Sequence, residues 1–120
     1  MHCDIIRAVF TAHQGKPGEP KRKDEMEIKQ TSQYVKWFDG LKDRLTKMRI
    51  ARRVKNAARG EYGDAKPVGE NISELRFHFG PGYRVYFTER HGVMFILLAG
   101  GDKSTQRKDI ARAKELARNI

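Results

Sequence analysis

Hydrophobic and polar positions alternate most regularly between Glu74 and Phe79. Glu74, Arg76 and His78 fall on one side and Leu75, Phe77 and Phe79 on the other, the period of two that marks a strand with one buried face. Gly80-Pro81-Gly82 follows as a turn, because Pro81 holds φ and lacks an N–H while its flanking glycines reach positive φ. A second strand, Tyr83 to Glu89, places Val85 and Phe87 on the buried side and Arg84 and Tyr86 on the other. Arg90-His91-Gly92 turns the chain again. Val93 to Ala99 is then an almost continuous apolar run, as expected of a central strand covered on both faces. Gly100 and Gly101 come after it, and Asp102 to Gln106 lead towards a helix.

Before this meander the period changes. Glu27 to Thr31 reads as a short first strand. Thr31 or Ser32 supplies an N-cap oxygen, and Tyr34, Trp37, Phe38 and Leu41 recur at helical spacing up to Gly40 and beyond. Asp43 caps a second helix whose apolar stripe is Leu45, Met48, Ala51, Val54 and Ala58, decorated by Lys47, Arg49, Arg52, Arg53, Lys55 and Arg59 and ended by Gly60. Glu61 to Asn71 reads as a polar loop carrying Lys66. Ser104 or Thr105 opens a last helix with Ile110, Ala113, Leu116 and Ala117 on its apolar side. The order strand, helix, helix, three strands, helix predicts an α+β fold. Its small antiparallel sheet consists of a short N-terminal strand plus a three-strand meander, with a helical hairpin packed on it and a C-terminal helix.

Residues 1–25 follow a different pattern. Ile5 to Phe10 suits a short strand or a helical turn, but Gln14 to Lys23 is a linker by composition, rich in Gly, Pro and charge. The folded domain is expected to span 26–120, with 1–25 a flexible extension outside it.

Composition changes the picture in one respect, charge. The chain has 120 residues, with 25 Lys and Arg against 15 Asp and Glu. Five of those basic and four of the acidic residues lie in 1–25, which leaves 20 against 11, net +9, on 26–120. The charge belongs to the domain and predicts an acidic partner, nucleic acid first. A single cysteine, Cys3, excludes an internal disulfide and a cysteine-rich zinc site, which points to a reducing compartment, the cytoplasm. No apolar run is long enough to cross a bilayer, and the opening residues do not read as a signal peptide.

The candidate chemistry lies on the polar side of the meander. Arg76 and Arg84 share a face, His78 and Tyr86 stand beside them, and Lys103 arrives at the sheet edge after two glycines. Like charges on neighbouring strands are costly without an anion between them, so this face is a candidate phosphate site. Blander readings accompany each residue. Arg76 could pair with Glu74 or Glu89, His78 could be a surface histidine beside a turn, Tyr86 could pack, and Asp102 could merely cap the last helix. The basic second helix suits a solvated amphipathic helix, one edge of which, with Arg52 and Arg53, could touch nucleic acid. No helix-borne His-Glu pair, carboxylate cluster or Gly-rich phosphate loop is present, which leaves metal hydrolysis and nucleotide-binding enzymes with little support.

Several pieces in series carry a family resemblance. They are Trp37-Phe38, the basic second helix, Gly63-Asp64-Ala65-Lys66, Glu74-Leu75-Arg76, Gly80-Pro81-Gly82-Tyr83-Arg84-Val85-Tyr86-Phe87 and Leu97-Leu98-Ala99-Gly100-Gly101-Asp102-Lys103-Ser104-Thr105-Gln106. Over residues 26–120 the chain resembles the addiction-module killer proteins, HigB-like toxins of the RelE/ParE superfamily in bacterial toxin–antitoxin systems. The resemblance implies a compact endoribonuclease that cleaves messenger RNA, usually at the ribosome, and so inhibits translation without metal or cofactor. Attack of a ribose 2'-hydroxyl on the adjacent phosphate would give a cyclic phosphate and a free 5'-hydroxyl.

That chemistry needs a base, a cation for the phosphate and a proton donor. Arg76 and Arg84 suit the phosphate, Lys103 or Lys66 the role of base or extra cation, and His78 or Tyr86 the passing of a proton. Lys66, Arg52, Arg53 and Gln106 are the candidate RNA contacts. The implied partners are messenger RNA, the ribosome and a cognate antitoxin, commonly a small helix-turn-helix protein, with no membrane. Two other classes stay open: a toxin of the same fold that inhibits DNA gyrase by binding, and a non-catalytic nucleic-acid-binding module.

Overall fold

In the computed structural model, which describes residues 5, 6 and 26–120, strands and helices follow the order β1 (Ile5–Ile6), β2 (Glu27–Thr31), α1 (Ser32–Asp39), α2 (Arg44–Ala58), β3 (Ala65–Gly69), β4 (Ile72–Arg76), β5 (Tyr83–Arg90), β6 (Met94–Asp102) and α3 (Gln106–Arg118), with a 3-10 turn over Lys103–Thr105 before α3. The strands form one sheet in the order β1-β2-β6-β5-β4-β3. The class is α+β, but the sheet is mixed and not antiparallel throughout. β2 runs parallel to β6, from Glu27 opposite Met94 to Gln30 opposite Leu97. Alternation marks a strand without giving its direction. Only a tight turn does that, and β2 and β6 are joined through two helices and three other strands.

Helices cover both faces of the sheet. On one side α1 and α2 pack Tyr34, Ile50 and Val54 against Ile28, Leu75, Val85, Phe87, Phe95 and Leu97. On the other, Ala113 and Leu116 of α3 close over Ile72, Tyr86, Ile96 and Leu98. Among the described residues no helix is long and apolar enough to cross a membrane.

The centre of the sheet contains a β-bulge. Tyr86 faces Ala99 while Phe87 faces Leu97, which leaves Leu98 as the extra residue of β6. Thr31 Oγ1 donates to the carbonyl of Leu98 at 2.6 Å and accepts from Tyr34 N at 3.1 Å as the N-cap of α1. One buried hydroxyl thus joins the end of β2, the start of α1 and the bulge. The bulge also turns Gly100 towards α1 and Gly101 towards α3. A Cβ on Gly100 would run into the indole of Trp37, and one on Gly101 into the carboxyl of Asp109. The glycines therefore stay inside β6, which runs to Asp102, instead of following a strand that ends at Ala99.

Three other expectations are corrected. The polar loop at 61–71 contains β3, an edge strand paired with β4 from Ala65 opposite Leu75. Pro67 is tolerated there because the edge leaves its missing N–H without consequence. β4 begins at Ile72 and ends at Arg76, two residues earlier than the alternation suggests at its start and three at its end. The turn that sets its start is made by Gly69, Glu70 and Asn71, all at positive φ.

The third correction concerns α2. Leu45 and Met48 are exposed, and the buried side is Thr46, Ile50, Val54, Ala57 and Ala58. Thr46 is held inward because both its N–H (3.0 Å) and its hydroxyl (2.7 Å) donate to the capping Asp43. Of residues 1–25, Ile5 and Ile6 pair antiparallel with Thr31 and Gln30. Met26, the expected start of the domain, is buried in the core, and the expected linker, Gln14 to Lys23, lies outside the described residues.

Candidate functional site

The register of the meander builds the site in rows. Arg76 stands opposite Arg84, which stands opposite Gly101, so both arginines lie on the α3 side of the sheet at its open end. One row inward come Lys66, Glu74, Tyr86 and Ala99. The two rows form a buried layer and an open layer.

The buried layer is centred on Glu74, which is 1% exposed, with Arg84 at 7%. Arg84 Nε lies 3.9 Å from Glu74 Oε2, and its Nη1 donates to the carbonyls of Gly82 and Tyr83, each at 3.1 Å. Gln106, in the first turn of α3, donates from Nε2 to both oxygens of Glu74 at 3.0 Å. Tyr86 is fully buried, and its hydroxyl has no hydrogen-bond partner among the described residues. Burial above all, then the nearby Glu74 and Asp109 carboxylates, push its pKa upward. The phenol therefore stays protonated.

In the open layer Arg76 has its own carboxylate, with Nε 3.5 Å from Asp64 Oδ2. The anion that two facing arginines require is thus supplied within the chain, Glu74 for Arg84 and Asp64 for Arg76. The side chain of Arg76 keeps 32% of its surface exposed. His78 is exposed, and its Nε2 bonds to the same Asp64 Oδ2. The hydrogen bond to His78, with the charge of Arg76, lowers the Asp64 pKa against a smaller desolvation penalty. An ionised Asp64 assigns the proton of the imidazole to Nε2 and leaves Nδ1 as the basic nitrogen.

Two devices fix this layer. Arg53 reaches from α2 across the loop before β3, donating to the carbonyls of Arg76 (3.0 Å), Tyr62 (3.1 Å) and Asp64 (3.2 Å). Its guanidinium also lies over the ring of Phe77, 4.7 Å from the centroid. At the other flank Asp102 accepts from Ser104 N (2.8 Å) and Ser104 Oγ (2.5 Å), which caps the turn leading to α3. That turn sets the exposed Lys103 against Gly82. A Cβ at Gly82 would meet Lys103 Cβ at 3.3 Å and Arg84 Nη1 at 3.7 Å.

The structure therefore gathers Arg76, Arg84, Tyr86, His78 and Lys103 at one end of the sheet, with Arg84 and Tyr86 beneath the surface. Gln106 belongs to the buried layer, and Arg53 braces the loop. Arg52 is exposed on the outer side of α2, beside Met48 and Lys55. Lys66 lies on the edge strand and lines a separate open groove of 660 Å³ with Tyr62, Pro67, Ile72 and Phe87. Tyr62 stacks on Phe87, its ring centroid 6.0 Å away. Burial, then the hydrogen bond to Glu89, pushes its hydroxyl up to about 12.

Sequence reasoning offered Glu74 only as a partner for Arg76, and gave no role to Asp64 or Asp109. Glu74 alternates like any solvent-facing residue, and only burial of the second sheet face makes it a counter-ion. Asp64 lies in the Gly63-Asp64-Ala65-Lys66 stretch, which was its one signal. Asp109 accepts from Thr105 Oγ1 at 2.5 Å, and its burial raises its pKa. Among the described residues no three His, Cys, Asp or Glu side chains gather to hold a metal ion.

Over 95 residues the chain is 46% identical to an uncharacterized protein of Haemophilus influenzae, an alignment that takes in 79% of this chain and 96% of that protein. No protein-family model matches the chain, and no solved structure does.

Proposed function

The chain belongs to one family with that Haemophilus influenzae protein, and we propose, from its site and its resemblance to HigB-like toxins, that it is the toxin of a toxin–antitoxin pair. Its activity is metal-independent cleavage of messenger RNA in the cytoplasm. The observation that carries this reading is the half-buried Arg76 with the exposed His78 and Lys103 at one sheet end, set over a buried Arg84–Glu74 pair. The resemblance to the RelE/ParE fold rests on the order of elements from β2 to α3 and on the same end of the sheet.

The roles follow from what each group is free to do. His78, held through Nε2 by Asp64, takes the 2'-hydroxyl proton on Nδ1. The 2'-oxygen forms a bond to phosphorus while the bond to the 5'-oxygen breaks. Arg76 forks onto the non-bridging oxygens, where charge accumulates. Lys103 donates a proton to the departing 5'-oxygen, leaving a 2',3'-cyclic phosphate and a 5'-hydroxyl. Each proton transfer is worth roughly 10²- to 10⁴-fold in rate. Arg84, facing Glu74 beneath the surface, acts by keeping the strand ends and the Gly82 turn in place.

Induced expression in bacteria with mapping of transcript 5' ends tests the reading. Growth arrest with new cleavages inside coding regions is expected, and Arg76→Ala should abolish both while the protein remains folded. Arrest without cleavage would replace the ribonuclease with a gyrase-binding toxin. Absence of arrest and of cleavage in the purified protein would overturn the reading altogether.

A further inference from the structure

The helices leave part of the sheet open towards the edge strand β3, and the groove of 660 Å³ lies there. Phe87 is its buried floor, and Ser73 stands opposite Phe87 on the neighbouring strand. Tyr62 forms an aromatic wall. Its ring lies 9° from the plane of Phe87, and its hydroxyl donates to Glu89 Oε2, so the half-buried ring is fixed by packing and by its polar end. Glu89 and Asn71 are exposed and line the same groove. Lys66 belongs to two places. It is exposed and lines the groove, and it also stands opposite Glu74, two residues from Arg76 on the same face of β4. A cation therefore lies between the groove and the catalytic end. Along β4, Ser73 is about 10 Å from Arg76, and along β5, Glu89 is about 17 Å from Arg84.

We propose that this groove takes a guanine base of the RNA strand cleaved beside Arg76, a base further along than the two nucleotides joined by the scissile phosphate. The strand rests on the ribonuclease reading; the choice of base rests on the groove alone. The base lies flat against Tyr62, as unpaired RNA bases do on aromatic side chains. A carboxylate only accepts, and Glu89 Oε2 keeps a lone pair beyond the one that Tyr62 uses. Guanine is the base whose Watson–Crick edge offers two adjacent donors, N1–H and the 2-amino group, and Glu89 takes both. Adenine and cytosine offer their amino group alone, and uracil sets carbonyl oxygens against the carboxylate. Lys66 meets a phosphate on the way from Arg76 to the groove. Other occupants fit less well. Pro67 interrupts the N–H row of the edge strand, so a second copy cannot extend the sheet there. An aliphatic segment would strip water from Glu89 without giving it a donor.

Binding of 2'-O-methyl RNA, which has no free 2'-hydroxyl and is not cut, separates the groove from cleavage. Short labelled strands of uridine with one central guanosine, inosine or adenosine are titrated with the full-length protein and followed by fluorescence anisotropy. The guanosine strand should bind about tenfold more tightly than the adenosine strand. Inosine, which lacks the 2-amino group, should fall between them. Glu89→Gln should bring the guanosine strand down to the level of the adenosine strand. Its thermal midpoint should match the parent's, because glutamine keeps an acceptor for the Tyr62 hydroxyl. Lys66→Ala should weaken all the strands alike, as loss of a phosphate contact does. In cells, mapped cuts should share a guanosine at one fixed distance, and Glu89→Gln should erase that pattern. Equal affinity for the three strands, or a guanosine preference that survives Glu89→Gln, would overturn the proposal even if the protein cleaves RNA. A preference that depends on Glu89 in a protein that cleaves no RNA would uphold the groove and overturn the ribonuclease.

Discussion

Gln106 Nε2 reaches both carboxylate oxygens of Glu74 at 3.0 Å, so the first turn of α3 is fastened to an acid buried under the sheet's second face. Arg84 approaches the same carboxylate at 3.9 Å, and the three side chains form a unit in which each needs the others. Removing one partner from a buried pair leaves an uncompensated charge, at a cost of about 3–5 kcal/mol. Glu74→Gln should therefore lower the unfolding free energy in urea by about 3 kcal/mol or more. The double variant Glu74→Gln/Arg84→Met should recover part of that loss. A single variant within about 0.5 kcal/mol of the parent would mean that the pair is already neutralised by solvent.

Arg53 carries a comparable structural weight through three carbonyls on the far side of the sheet. Arg53→Ala should cost about 2–3 kcal/mol, since hydrogen bonds to a charged group contribute about 1.5–3 kcal/mol. Arg53→Lys should recover little, because an ammonium cannot span carbonyls that a planar fork reaches together. If Lys restores full stability, the stacking on Phe77 and not the hydrogen bonding is what holds the loop.

Gly100 and Gly101 separate two kinds of crowding. Gly100→Ala drives a methyl into the Trp37 ring, which is wedged between α1 and β6, and should cost about 3 kcal/mol or more. Gly101→Ala meets the end of the Asp109 side chain, which has freedom to turn aside, and should cost less. The order of the two thermal midpoints, Gly100→Ala below Gly101→Ala, is the readout. The reverse order would place the rigid contact at Asp109.

Asp109 makes the pH dependence specific. Its folded pKa is raised, chiefly by burial, above the ordinary 3.8. Its contribution to stability is fully present below that ordinary value and is lost as pH rises through the raised one. Asp109→Asn should therefore be more stable than the parent at pH 7, with the difference fading by pH 3. Equal curves across that range would show that the Thr105 hydrogen bond and the start of α3 offset the burial.

The elements were mostly legible in the sequence because their signals are local. Thr31 and Asp43 cap the two helices where the capping pattern placed them, and the alternation about Leu75 and Val85 gave the faces of the meander correctly. Signals that depend on a neighbour were not legible. Leu45 and Met48 look like core at helical spacing, yet Thr46 is drawn inward by Asp43 and rotates them to the surface. β3, with Pro67 in it, reads as loop because an edge strand needs few of the residues that mark a strand.

By itself, then, the sequence determined the order of helices and strands apart from the edge strand β3, the meander faces and the placement of Arg76 and Arg84 on one side, since backbone period and turn chemistry act over a few residues. Only the tertiary structure decided that β2 runs parallel to β6, that a bulge at Leu98 reverses the faces after it, and that α3 buries Glu74 beneath Arg84. These outcomes depend on which surfaces meet across the chain. Burial there turns an ordinary polar position into a charge that must find a partner.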